Sequence, residues 1–109
     1  MQKIHRIYFQ VAVVTVMLSV LLVGGASAFN EADLQKLKKT HKCPHCDLSN
    51  VDLHDETLCG ADLSGANLSW ARLLFANLSV ASLSGADLSG ATWTDGTKCK
   101  EGSIGTCIK

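Results

Sequence analysis

The chain has 109 residues, 47% of them hydrophobic, with 10 Lys+Arg against 10 Asp+Glu, 9 Gly, 5 Cys and a single Pro. That length supports one small domain. Charge balance excludes the strongly basic footprint of a nucleic-acid backbone binder, and aromatics at 6% exclude a core built on large rings.

The first element in the chain is a targeting segment. Lys3, His5 and Arg6 form a short basic start, Val11 to Val23 is almost continuously apolar, and Ala26-Ser27-Ala28 supplies the small residues of a cleavage site. Residues 1–28 therefore read as a secretory signal peptide cut after Ala28. The apolar run is shorter than the ~20 residues of a membrane span, so no stable anchor is expected after cleavage. Losing Lys3 and Arg6 leaves eight basic against ten acidic residues, a net charge of −2. The expected destination is secreted or periplasmic.

Residues 29–45 form an N-terminal helix and cap. Within them, Asn30 to Lys39 has acidic residues at its start, lysines at its end and Leu34 and Leu37 on one face, the charge order that a helix dipole favours. All five cysteines follow the signal segment, and an oxidising destination makes disulfides their default. Cys43 with Cys46 and Cys99 with Cys107 are local pairs, and Cys59 stands alone between them. Cys43-Pro44-His45-Cys46 has the CxxC form of a redox or metal site, with His41, His45 and His54 as further donors. No strand-then-helix context surrounds it, which favours a structural disulfide. A periplasmic thiol- or metal-handling role through Cys43 and Cys46 is the alternative.

From Cys46 to Asp95 the chain divides without a gap into ten pentads. The third position is Leu in nine of them and Trp93 in the last; the first is Ala in seven consecutive units, Ala61 to Ala91. A period of five fits neither a helix nor a flat strand. Short extended pieces with a corner every five residues would satisfy it, the first and third positions pointing inward as i and i+2 do along a strand. Four corners close a coil, and stacked coils place Leu48, Leu68 and Leu88 in one column, Leu53, Leu73 and Trp93 in another, Leu58 under Leu78 and Leu63 under Leu83. Ten pentads make about two and a half coils.

These units resemble the pentapeptide repeat family, whose units read A(D/N)LXX. The resemblance implies an all-β fold, a right-handed quadrilateral β-helix over residues 46–95, here with a short N-terminal capping helix. Residues 96–109 also resemble the C-terminal end of small exported members and form a tail closed by Cys99 and Cys107. Departures from the family pattern are Glu56 at an inward position, Arg72 in place of Asp or Asn, and Trp70, Leu74, Phe75 and Val80 at outward positions.

No nucleophile and base stand together, and no phosphate loop is present: Gly60, Gly65, Gly85 and Gly90 close pentads, and the recurring Ser at position four suits corners. Enzymatic activity, a cofactor and nucleic acid as partner are not expected. Some family members resemble duplex DNA and bind DNA gyrase, but an exported, short and weakly acidic chain does not match that use. The expected function is a non-catalytic exported structural or interaction module with a protein partner or a second copy as ligand, and Trp70, Leu74, Phe75 and Val80 are its candidate interaction surface.

Overall fold

The computed structural model describes residues 29–109; the segment 1–28, read from the sequence as a signal peptide, lies outside the described residues. One helix, α1 (Glu31–Thr40), precedes everything else. Asn30 caps its first turn by accepting from the Ala32 and Asp33 amides, Glu31 and Asp33 face its positive end, and Lys38 and Lys39 its negative end. His41 stops it in the left-handed region at φ 56.

After α1 the backbone returns to the same line every twenty residues. Parallel bridges join Lys42 to Asp62 to Ser82, Asp47 to Asn67 to Asp87, Asp52 to Arg72 to Thr92, and Thr57 to Asn77. These four ladders are four faces, numbered 1 to 4 in that order. Each face contributes one bridging residue per layer, so the chain coils without long strands. Within a ladder the amide of the third pentad residue donates upward, as Leu48 to Asn67 and Leu68 to Asp87, both at 2.8 Å.

Corners separate the faces. The first residue of each pentad donates to the carbonyl three residues back, as Ala61 to Leu58 and Ala66 to Leu63 at 3.1 Å. The fifth residue takes positive φ at every corner from His45 to Gly90, the i+2 conformation of a type II turn. Asp or Asn at position two ties down the corner: the Oδ1 of Asp62, Asn67 and Asn77 accepts from both the amide and the hydroxyl of Ser64, Ser69 and Ser79. The recurring Asp/Asn and Ser are thus turn-forming partners.

The core is the stack of inward positions. Leu48, Leu53, Leu63, Leu68, Leu73 and Leu88 are fully buried, with Ala61, Ala66, Ala71, Ala86 and Ala91 beside them. Alanine is required there because a coil one side of five residues wide has no room for a second large group.

The coil starts one side earlier than the pentads read from Cys46. His41-Lys42-Cys43-Pro44-His45 is itself a side, with Lys42 in ladder 1 and Cys43 buried at the central position. Below it, α1 substitutes for the missing layer. Leu34 and Leu37 are buried against the coil, the Asp47 amide donates to the Asp33 carboxylate at 2.8 Å, and Asn30 N–H donates to the Asp47 carbonyl at 3.0 Å. Glu56, the acidic residue at an inward position, is half-buried and reaches Lys38 of the helix at 3.9 Å. At the other end the tail pairs antiparallel with the last half-coil, Ile104 with Asp87 and Lys98 with Thr92. Its Ser103 is fully buried, donating to the Lys100 carbonyl and accepting from the Ile108 amide.

Candidate functional site

The cysteines pair as spacing suggests: Cys43 with Cys46, Cys99 with Cys107, leaving Cys59 free and exposed beside the Gly60 corner. Cys43-Pro44-His45-Cys46 spans a corner of the first layer, so this bridge clamps a turn, and its sulfurs are committed to each other. His41 and His45 are exposed around it. Among the described residues, no group of three or more His, Cys, Asp or Glu is gathered to hold a metal ion. The pairing fits an oxidising compartment, and among the described residues no helix is long and apolar enough to cross a membrane.

The strongest cluster of charges lies on face 3. Asp52 Oδ1 bonds His54 Nδ1 at 2.7 Å, Arg72 approaches Asp52 from the layer above at 3.4 Å, and Asp55 Oδ2 lies 3.9 Å from His54 Nε2. The Asp52 hydrogen bond, and then its charge, raises the His54 pKa above its ordinary value; the same hydrogen bond is the main cause lowering that of Asp52. Among the described residues no hydroxyl or thiol is bonded to this imidazole, and the group is an ion-pair ladder at a corner. Because the folded pKa is raised, its stabilising contribution is complete below ~6.5 and is lost as pH rises through the folded value. An NMR titration should place the His54 midpoint above ~6.5, and Asp52→Asn should bring it back; a midpoint at or below that value in the unsubstituted protein would refute the pairing. At face 3's upper end, Lys109 and then Thr97 hold the Asp95 carboxyl far below the usual carboxylate range.

The four outward apolar residues do not behave alike. Trp70, Phe75 and Val80 stand on three successive corners of one coil, at φ 61, 60 and 52. These are corners where other units carry Gly, Asn, Asp or His. Trp70 is packed within the chain: a Cβ on Gly90, one layer up, would lie 2.6 Å from its ring, and Lys98 Nζ sits 5.8 Å from the ring centroid. Glycine at 90 is therefore what the tryptophan requires, and a cation–π contact covers part of the indole. Leu74 is half-buried, with its Cδ1 3.6 Å from where a Cβ on Gly96 would stand. Phe75 at 69% and Val80 at 87% are more exposed than Trp70 at 55%. The four are thus brought onto one coil as a girdle spanning three corners, with Trp70 and Leu74 partly spent on layer-to-layer packing.

Sequence reasoning missed a feature at the C-terminal end of the coil. The tail pairs with faces 2 and 3 and brings Gly105 against the Leu83–Gly85 corner of face 1, while Leu78, Val80 and Leu83 on faces 4 and 1 have no backbone acceptor above them among the described residues. The signal available was the count of sides: a half-integral number of coils leaves a step.

The family described as Pentapeptide repeats matches in eight copies, over residues 43–73 and 61–92. The matched span opens at Cys43, in agreement with the ladder that starts at Lys42. No curated protein matches the chain significantly.

Proposed function

The chain belongs to the pentapeptide repeat family, and we propose that it is an exported, non-catalytic structural or protein-interaction module working in the periplasm or outside the cell. The fold proposed is the right-handed quadrilateral β-helix of that family. The twenty-residue parallel ladders support it. Export is supported by the basic-apolar-small order of residues 1–28 and by two disulfides in so short a chain. Members of this family are in general structural or interaction modules, and the polar side chains that repeat here are occupied in holding corners rather than in activating one another.

One observation carries the interaction reading: Phe75 and Val80 are large, apolar and highly exposed, beside the partly covered Trp70 and Leu74. A protein partner docking on this girdle would bury them, each contributing roughly 1.5–3 kcal/mol before the costs of association. Cross-linking and pull-down with the protein in its native envelope should capture a specific partner, and Trp70→Ser with Phe75→Ser should lose it while keeping the far-UV spectrum. Equal capture by the double variant, or a fall in its thermal stability of the size that core changes cause, would return these residues to intrachain packing.

A further inference from the structure

The two disulfides are sheltered unequally. Cys43 and Cys46 are 0% and 4% exposed, and α1 lies across them: Cys43 Sγ is 3.2 Å from the Asp33 carbonyl, with Leu34 and Leu37 buried against the same end of the coil. A reagent reaches that bridge only after the helix lifts. Cys99 is buried too, but its partner Cys107 is half-buried, between the exposed Thr106 and Ile108. Of the four bridged cysteines, Cys107 alone is open to solvent.

The tail that this second bridge closes also covers part of the girdle. Lys98, next in sequence to Cys99, holds its Nζ 5.8 Å from the centroid of the Trp70 ring and donates to the Gly90 carbonyl at 3.3 Å. Gly96, at φ 88, makes the turn from coil to tail, with Leu74 packed beside it. Cys99 and Ser103 are the two buried residues of segment 96–109, so the tail places no other side chain in the core. Its ladder to the coil is short: Gly90 N–H to the Cys99 carbonyl, Cys99 N–H to Ala91, Leu88 N–H to Ser103, and Gly105 N–H to Ala86. Cys99 makes two of these four bonds, so the bridge and the ladder share a residue. A segment with so little buried apolar surface belongs to the low-stability end of the molecule.

We propose that Cys99–Cys107 is a redox latch on the girdle: a dithiol reductant opens this bridge first, the tail lifts about Gly96, and Trp70 and Leu74 join Phe75 and Val80 as open docking surface. This regulation rests on the girdle being the docking surface. One thiolate of the dithiol attacks Cys107 Sγ, the bond between the protein sulfurs breaks, and Cys99 leaves as a thiolate that takes a proton from water. The second thiolate of the dithiol then attacks the dithiol's own sulfur in the mixed disulfide and releases Cys107, which is protonated in turn. Two electrons pass to the protein. The dithiol ends as a disulfide, and Cys99 and Cys107 end as thiols.

The rest of the fold stands while the latch opens. The ladder bonds from Leu48 to Asn67, Leu53 to Arg72 and Leu73 to Thr92 do not involve the tail, and Cys43–Cys46 stays closed under α1. Phe75 and Val80 are exposed in either state. Opening therefore enlarges the apolar surface from two corners to three, with Leu74 between, and a larger contiguous patch is the better docking surface. In an oxidising compartment the closed form is the resting one.

The test follows both bridges and the ring in protein produced from the full chain, with the free Cys59 first blocked by iodoacetamide. Dithiothreitol is added, and new thiols are labelled with N-ethylmaleimide at intervals and located by peptide mass. Cys99 and Cys107 should be labelled at more than about ten times the rate of Cys43 and Cys46, because lifting two buried leucines costs more than the ~1.4 kcal/mol that a factor of ten represents. In a Trp93→Phe background, Trp70 is the sole tryptophan. Its quenching by acrylamide should rise by up to about 1.8-fold, the ratio of full exposure to 55%, in step with the labelling of Cys99 and Cys107. Cys99→Ser with Cys107→Ser should show the raised quenching without dithiol. Cys43→Ser with Cys46→Ser, folded by circular dichroism, should show it only after dithiol is added. Equal labelling rates, earlier labelling of Cys43 and Cys46, or unchanged Trp70 quenching once Cys99 and Cys107 are labelled would each overturn the latch. Capture of a partner in equal amount by oxidised and reduced protein would overturn it as well, and would leave the girdle as the docking surface. A ring uncovered by dithiol with no partner captured in either state would refute the girdle reading and leave the latch standing as a conformational device.

Discussion

Leu68→Asp is expected to abolish the fold, and Ser69→Asp, its immediate neighbour, to leave it standing. Leu68 is fully buried, with its amide bonded to the Asp87 carbonyl above and Leu48 and Leu88 in the same column. A carboxylate there enters a core of leucine, alanine, valine and cysteine, and an uncompensated buried charge costs several kcal/mol even after relaxation. Against a whole-domain stability of about 4–12 kcal/mol for a folded part of this size, that is enough to unfold most molecules. Leu68→Ala gives the graded version, a loss of ~2–5 kcal/mol from transfer and cavity together. Ser69 is half-exposed, and its hydroxyl donates to Asn67 Oδ1; replacing it removes one corner bond, worth ~0.5–1.5 kcal/mol. Urea titration separates the two: a missing native baseline for Leu68→Asp with a small midpoint shift for Ser69→Asp confirms the inward and outward assignment, and equal midpoints reject it.

The columns were legible because one residue type marks them. Leucine at every third pentad position, with alanine two residues before, dictates which side chains meet once four corners close a coil, and the ladders join residues twenty apart as that requires. The ends of α1 were legible because Asn30, Glu31 and Asp33 at one end and Lys38 and Lys39 at the other obey dipole and capping chemistry independent of context. The first coil side was hidden for the opposite reason. His41-Lys42-Cys43-Pro44-His45 has neither the alanine nor the leucine, and its buried central residue is a cysteine occupied by a disulfide. The tail has no period at all, so its antiparallel seat on Asp87 and Thr92 follows from tertiary contact alone.

The girdle was legible as a set of apolar residues at outward positions, but not in its division of labour. That Trp70 lies under Gly90 and beside Lys98 depends on a glycine twenty residues on and a lysine in the tail. That the last coil is closed on faces 2 and 3 depends on where the tail pairs. Both facts arise where the repeat stops, because a repeat specifies every layer except its last.

The tail's choice is held by Cys99–Cys107, and removing that bridge should give the second largest effect. Closing a loop of about nine residues lowers the entropy of the unfolded chain by an amount worth ~2.5 kcal/mol, a quarter or more of the domain's stability at the midpoint of the range above. The loss should also be local. Cys99 is buried, its carbonyl accepts from Gly90 N–H at 3.0 Å, its amide donates to Ala91, and Ser103 accepts from Leu88 N–H at 2.7 Å through its carbonyl. With Cys99→Ser and Cys107→Ser together, the tail loses its clamp, and these bonds become the first to open. Amides of Leu88 and Gly90 should then exchange far faster than those of Leu48 and Leu53, which lie in the first coil, and the urea midpoint should fall by the equivalent of ~2–3 kcal/mol. Cys43→Ser with Cys46→Ser gives the contrast, since its shorter loop is worth ~2 kcal/mol and its opening exposes the α1 end instead. If the Cys99/Cys107 variant loses stability while Leu88 and Gly90 keep the protection of the first coil, the tail is not a cap held by its bridge.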